Sequence, residues 1–487
     1  MDRDLTKLNP KLVWKHFQEI TQCPRPSHHE EVIRAYIKNF AKEQGLECKE
    51  DEGHNVYISK PATKGMEDRK GVVMQAHCDM VPQKNNDKVF DFEKDPIEAY
   101  IDGEWVTANG TTLGADNGIG VAAILAVMED NTLEHGPIEG LFTATEETGM
   151  DGAFALKGDL LKGDILLNLD SETEGELYVG CAGGLDANIT FHYTEEEAPK
   201  EGYRAARITA KGMKGGHSGI QIICQRANAN RVLFRLVNLA ASKRELLLSK
   251  VDGGGLRNAI PREAEAVVLI PSGEYDQLVQ EVKDYEQVVQ NEYAGIEDQI
   301  SISIEEVALP ATIIERKTAQ NLAKAVVACP DGVWRMSMAM TGLVQTSSNL
   351  SRVVSDGKTI KLQCLLRSSV NSEKEALGQA ISSVFELAGA EIELTGSYNG
   401  WNPNMQSPIL KAMTESYESL FGVKPAVTAI HAGLECGIIG TSYPKMDMIS
   451  FGPTICYPHS PDEKVEIKSV EKFYDFLLHT LKNTPKK

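Results

Sequence analysis

Hydrophobic residues in the first 180 positions fall into short, nearly unbroken runs: Val72-Val73-Met74, Ile138 to Ala144 and Ile165 to Leu169. Runs that are apolar on both faces predict strands of a parallel sheet covered by helices on either side. Between them, helical spacing recurs over Glu30 to Gln44, Gly118 to Glu129 and roughly Met150 to Leu161. Strand and helix in alternation define an α/β sheet with right-handed crossovers. Met446 to Phe451 repeats the strand pattern near the end of the chain. From about Ala187 the period becomes two, as in Arg207-Ile208-Thr209-Ala210 and Ile300-Ser301-Ile302-Ser303-Ile304. Such alternation marks half-exposed antiparallel strands. Acidic helical stretches such as Tyr275 to Tyr293 separate them, and the α/β texture resumes after the turn signal Gly400-Trp401-Asn402-Pro403. The expected organisation is a discontinuous α/β domain over 1–186 and 401–487, its sheet mostly parallel and flanked by helices, with an inserted α+β domain over 187–400. The insert has room for two similar halves, although its residues show no clear repeat.

A chain of 487 residues exceeds one typical core, in keeping with two domains. Its 70 acidic and 50 basic side chains leave a formal charge of −20, which opposes nucleic acid and anionic membranes as partners. The longest clean apolar run, Gly118 to Met128, is 11 residues, too short to cross a bilayer. The charged start Met1-Asp2-Arg3-Asp4 lacks the apolar core of a secretory signal. Nine scattered cysteines without a CxxC pair read as reduced, mostly buried thiols of a cytoplasmic protein.

Each predicted strand ends in chemistry. The first runs into His77-Cys78-Asp79, where residues two apart face one side. Gly114-Ala115-Asp116-Asn117-Gly118 precedes a helix; Ile138 to Ala144 runs into Thr145-Glu146-Glu147-Thr148-Gly149; Ile165 to Leu169 ends at Asp170; and His459 lies in the loop beyond Phe451. Taken singly, each has an ordinary explanation as a packed histidine, a solvated turn or a helix cap. Open α/β sheets, however, hold their ligands at the carboxyl ends of strands, and charge this dense behind buried strands needs neutralising. Two imidazoles with several carboxylates suit zinc, with manganese or cobalt as substitutes. The donor count of His77, Asp116, Glu147, Asp170 and His459 matches a pair of metals sharing one carboxylate. Asp79 is then placed to orient His77, and Glu146 to take a proton from water. His16, His28, His29, His54, His135 and His192 are expected to be ordinary surface or hinge residues.

Together these motifs resemble the co-catalytic zinc exopeptidases, the family that includes carnosinase and aminoacylase. The likeness runs over essentially the whole chain, insert included, and is nearest to the bacterial branch that cleaves Xaa-His dipeptides. It implies two zinc ions per chain, Asp116 bridging them, His77 and Asp170 on one, Glu147 and His459 on the other. It makes Asp79 the activating carboxylate and Glu146 the general acid/base acting on a metal-bridging water. The insert corresponds to the family's lid. There, in Lys211-Gly212-Met213-Lys214-Gly215-Gly216-His217-Ser218-Gly219, the resemblance casts His217 as donor to the oxyanion. Asn258 would bind the same oxygen or the substrate backbone, Arg367 the free C-terminal carboxylate, and Glu435, in the returning α/β part, the substrate ammonium. The implied activity is hydrolysis of unblocked dipeptides, notably Xaa-His, in the cytoplasm. A homodimer is implied too, unless a doubled lid lets one chain complete its own site. N-acyl amino-acid deacylation or a broader di/tripeptidase would use the same ligands, and a non-catalytic peptide or metal carrier is the reading from another class.

Overall fold

The computed structural model describes residues 1–487 and contains two compact units. The first comprises Met1–Gly180, Pro403–Ala429 and Leu434–Lys487; the second comprises Cys181–Asn402 and Ile430–Gly433. The division falls at Cys181 and Asn402, and the short stretch Ile430–Gly433 lies outside the unit that surrounds it in sequence.

An eight-stranded sheet organises the first unit, in the order Glu47–Glu50, Val56–Lys60, Ile138–Thr143, Val72–His77, Ile165–Asn168, Asp447–Ser450, Glu176–Cys181, Ala426–Ile430. The apolar runs form its centre, where Ile138–Thr143, Val72–His77, Ile165–Asn168 and Asp447–Ser450 are mutually parallel. Glu47–Glu50 and Val56–Lys60 pair antiparallel at one margin, and Glu176–Cys181 meets Asp447–Ser450 antiparallel at the other. The three strands seen first in the sequence are buried along their whole length, which is why they carry no alternation. Register aligns their carboxyl ends, with His77 opposite Thr143 and Gln75 opposite Asn168. Helix Ala115–Glu129, buried almost all round, packs on the His77 strand and on helix Lys11–Ile20. Helix Pro408–Phe421 packs on Asp447–Ser450 and on Ile467–Lys482. A small sheet joins Ile455–Cys456, Lys464–Glu466, Trp105–Ala108 and Ala99–Asp102.

The helix expected over Met150 to Leu161 is much shorter: Met150 adopts φ 59°, separating Glu146–Gly149 from Asp151–Ala155, and Leu156 is already extended. His16 and His135, expected at the surface, are both buried (1% exposed). His16 lies between Tyr36 and Glu129 at 3.0 and 2.7 Å, and His135 Nδ1 is 2.7 Å from the Gly136 carbonyl.

The second unit is a nine-stranded antiparallel sheet with helices. Its two halves have one topology. Strands Tyr203–Lys211, Leu247–Gly254, Ala264–Pro271 and Ser301–Val307, with helices Ala229–Lys243 and Tyr275–Glu292, form a βαββαβ motif of spatial order 4-1-3-2. Strands Gly183–His192, Val344–Asp356, Thr359–Ser368 and Glu391–Tyr398, with helices Arg316–Ala328 and Asn371–Leu387, repeat that order around the nested first half. The second strands of the two halves join them, pairing Asp252 with Val354 and Gly254 with Arg352. Asn228 caps helix Ala229–Lys243, its side chain accepting the Asn230 and Arg231 amides. No helix of the chain is long and apolar enough to cross a membrane. None of the nine cysteines is in a disulfide, and five are buried.

Candidate metal centre and active site

Segments far apart in sequence meet at the carboxyl ends of the first unit's parallel strands. Asp116 stands in the middle: its Oδ1 lies 3.0 Å from His77 Nε2 and its Oδ2 3.2 Å from His459 Nε2. Asp170 Oδ1 is 3.3 Å from the same His77 nitrogen, and Glu147 Oε2 is 3.0 Å from His459 Nε2. Donor atoms of His77, Asp116 and Asp170, and those of Asp116, Glu147 and His459, form two triads, each within 4.8 Å, that share Asp116. A third grouping joins His77, Glu146 and Glu147.

Local structure explains the placement. Gly114 has φ 71°, and a Cβ there would stand 2.5 Å from the Arg25 guanidinium, so only glycine makes the turn that delivers Asp116. Thr145 is also left-handed (φ 56°), held by Glu30, which accepts its amide at 2.9 Å and its hydroxyl at 2.8 Å. That bend turns Glu146 and Glu147 back over Asp79, which accepts their amides at 3.0 and 3.2 Å and the Ser27 hydroxyl at 2.7 Å. Asp79 Oδ1 lies 3.3 Å from His77 Nδ1, outside hydrogen-bond alignment.

The electrostatics are those of clustered, mostly buried anions beside two imidazoles. Burial alone would lower the proton affinity of His77, yet Asp170, Asp116 and Asp79 outweigh it and hold the ring well above its ordinary value. Hydrogen bonds to Asp116 and Glu147 raise His459 to about 11. Burial pushes Asp170 up to about 6 and Glu172 to about 8, with neighbouring carboxylates adding to both. Glu146 is raised well above the carboxylate range, first by burial and then by Asp170, Glu435 and Glu147. Asp79 moves the other way: despite burial, His77 and the bonds from Ser27 and Glu146 bring it to about 2. Glu147 keeps one buried oxygen with no hydrogen-bond partner. Unpaired buried acceptors and imidazoles driven to bind protons mark a donor set made for cations, and His/carboxylate donors fit divalent metals.

Several supporting residues escaped the sequence reading. Arg25, 2% exposed between Pro24 and Pro26, donates to the carbonyls of Cys78, Asp79 and Gly114. Glu30, Ser27 and Glu463 likewise act through backbone or second carboxylates; a charge in a loop ordinarily reads as solvated, and the pair of prolines was the one available cue for Arg25. Glu435, expected at a substrate ammonium, is fully buried and accepts from Gln75 Nε2 at 2.6 Å and Thr143 Oγ1 at 2.8 Å.

In the second unit, His217 and Arg367 gather around Gly219. A Cβ at Gly219 would lie 2.2 Å from the His431 carbonyl, 3.0 Å from His217 Cε1 and 3.1 Å from Arg367 Nε. The amides of Gly219 and Ile220 donate to His217 Nδ1 at 3.2 and 3.1 Å, which leaves the ring proton on Nε2. Arg367 is 6% exposed, with Nε unpaired and Nη1 3.4 Å from the Tyr398 hydroxyl. His431 Nε2 meets Ser347 Oγ at 2.7 Å. Asn258 is exposed; its carbonyl accepts the Ser218 amide at 2.8 Å. Burial and then the Arg367 charge bring His217 down to about 4, from an ordinary 6.5. Between those values the unfolded chain holds a proton that the folded chain does not, so this contribution to stability is whole above pH 6.5 and is lost as pH falls through about 4. An NMR titration is expected to find His217 neutral down to about pH 4, with its midpoint moving up in Arg367→Met. A wild-type midpoint near 6.5 would refute this environment.

An α/β sheet that brings imidazoles and carboxylates to its strand ends in triads with a common member has the framework of a metallohydrolase. Relatives agree. The chain matches the family model described as peptidase family M20/M25/M40 over residues 73–483. It is 46% identical over 484 residues to the cytosol non-specific dipeptidase of Escherichia coli (strain K12), covering 99% of this chain and 100% of that one. The crystal structure of aminoacylhistidine dipeptidase from Vibrio alginolyticus superposes with a TM-score of 0.94 at 48% identity, covering 99% of each chain. Aminopeptidase PepT from Bacillus cereus ATCC 10987 shares the fold at a TM-score of 0.57 and 15% identity, over 98% of this chain and 99% of that one. This chain therefore belongs to peptidase family M20/M25/M40.

Proposed function

We propose that the protein is a cytoplasmic metallo-dipeptidase that hydrolyses unblocked dipeptides, Xaa-His among them, with two zinc ions held by His77, Asp116, Glu147, Asp170 and His459. The observation that carries this reading is Asp116, whose two oxygens each face one imidazole of a different triad. Family membership supports the reaction class. One relative is a non-specific dipeptidase and another an aminoacylhistidine dipeptidase, which supports a dipeptide substrate with histidine as one accepted residue.

When bound, a metal pair supplies Lewis acidity at the scissile carbonyl and lowers the pKa of the attacking water from 15.7 to about 7. Glu146, on the turn beside Glu147, takes the proton of that water and returns it to the leaving amine. Asp79, ionised, lies 3.3 Å from the far nitrogen of His77, where its charge favours the ring orientation that turns Nε2 toward Asp116 and Asp170. In the second unit, His217 presents a neutral Nε2–H of the kind that stabilises a developing oxyanion. Arg367, buried with an unpaired Nε, suits the peptide's free carboxylate.

A panel of Xaa-His dipeptides, other dipeptides and N-acetyl amino acids, assayed before and after chelation and after return of zinc, manganese or cobalt, tests the reading. Dipeptide hydrolysis should vanish on chelation and return with metal. Faster cleavage of N-acetyl amino acids would make the protein a deacylase instead. Tight binding of dipeptides without turnover under any metal would favour the carrier.

A further inference from the structure

We infer that Glu463 is a positioning residue whose carboxylate fastens the His459 hairpin to the turn that carries Asp116, thereby setting the spacing of two metal donors from distant parts of the chain. This rests on the metal-centre reading above.

Glu463 is 2% exposed and its carboxylate is met almost entirely by backbone amides. Oε2 accepts from Leu113 and Gly114 at 2.8 and 2.9 Å; Oε1 accepts from Ala115 and Asp116 at 2.8 and 3.2 Å. Four successive N–H groups pointing at one anion form a nest, which here exists because Gly114 is left-handed. The bound carboxylate holds the backbone of Asp116 itself, so the direction of the Asp116 side chain follows from it.

The other end of the link is the loop bearing His459. Residues 457–463 connect two paired strands, Ile455–Cys456 and Lys464–Glu466, the second of which pairs with Trp105–Ala108. Glu463 closes that loop: its amide donates to the Ser460 carbonyl at 3.0 Å and its own carbonyl accepts the Thr107 hydroxyl at 2.8 Å. His459 needs such a foundation. Its side chain is 51% exposed, so packing restrains it little, and its backbone is left-handed (φ 59°). Its polar contacts are Asp116 and Glu147, the two donors it must meet. A single carboxylate thus joins the Asp116 turn to the foot of the His459 loop.

Glutamine in place of Glu463 keeps the shape but puts an NH2 group against two N–H donors. Glu463→Gln is expected to weaken binding of zinc and cobalt about 10- to 100-fold and to alter the visible spectrum of the cobalt-loaded protein. Glu139→Gln is the control. Glu139 is also buried (6% exposed) and accepts the amides of Lys162 and Gly163, at 3.0 and 3.2 Å, but near the amino end of its strand. That variant should lower the unfolding temperature of the metal-free protein and leave cobalt affinity within about twofold. If Glu463→Gln does not fold, Glu463→Asp, one methylene too short to reach all four amides, is expected to show the same weakening at a temperature where circular dichroism shows it folded. Wild-type affinity and spectrum in a folded Glu463 variant would overturn the inference, as would equal loss of affinity in Glu139→Gln. Failure of the wild-type protein to bind either ion would instead remove the metal-centre reading.

Discussion

Glu146→Gln is expected to lower kcat about 10²- to 10⁴-fold while the protein keeps its full metal content. The residue follows the left-handed bend at Thr145, its amide tied to Asp79 and its half-buried side chain set among carboxylates. Glutamine preserves size and hydrogen bonding to the turn but cannot carry a proton between water and amine. Metal content decides between two roles that geometry allows. Glu146 and Glu147 both fall within reach of His77, so a ligand role for Glu146 is the rival to acid/base catalysis. In the acid/base role the ions stay and turnover falls; in the ligand role both fall together. The acid limb of the kcat/KM profile should also flatten in the variant, because the group whose deprotonation produces it is gone. Turnover within threefold of wild type would remove Glu146 from the chemistry.

Parallel strands buried on both faces announce themselves as unbroken apolar runs, and their carboxyl ends are where an open α/β sheet places its ligands. That is why His77, Glu147 and Asp170, each shortly past a run, and Asp116, just before a helix, stand out in the sequence as candidate donors, whereas His459 lies farther off, in the loop beyond Phe451. What stayed hidden depends on backbone geometry. Glu463 and Glu30 are glutamates in loops, a class that is usually solvated, and only the amides turned toward them make them structural. Glu435, cast by the resemblance at a substrate ammonium, opens helix Glu435–Ser442 fully buried and accepts hydrogen bonds from Gln75 and Thr143, which no residue pattern reveals. The helix expected to Leu161 stops at Ala155 because Met150 turns left-handed and Leu156 extends, neither of which a helical pattern reveals. In the second unit, both halves follow one βαββαβ order without a shared residue pattern. Topology there is set by where period-two and helical stretches alternate, which many residue choices satisfy.

Asp116→Ala is expected to abolish turnover and to strip both ions, where Asp170→Ala and His459→Ala each weaken mainly one. The asymmetry follows from position: Asp170 meets only the His77 triad and His459 only the Glu147 triad, whereas Asp116 belongs to both. Metal analysis after equilibration with limiting zinc reads this directly, and retention of one ion at wild-type affinity in Asp116→Ala would contradict a shared carboxylate. The metal-free protein offers a second readout with a definite sign. Asp116 and Glu147 raise the folded-state pKa of His459 from 6.5 to about 11, so the folded chain holds a proton that the unfolded chain releases between those values. This stabilisation is fully present below pH 6.5 and is lost as pH rises through about 11, so chelated wild-type protein should become less stable as pH is raised through that window. Without Asp116 the ring keeps only Glu147 as its partner, its pKa falls back toward 6.5, and the pH slope should shrink. An unchanged slope in chelated Asp116→Ala would mean that Asp116 does not govern the charge of His459, and a carboxylate with no hold on that ring could not join the two triads.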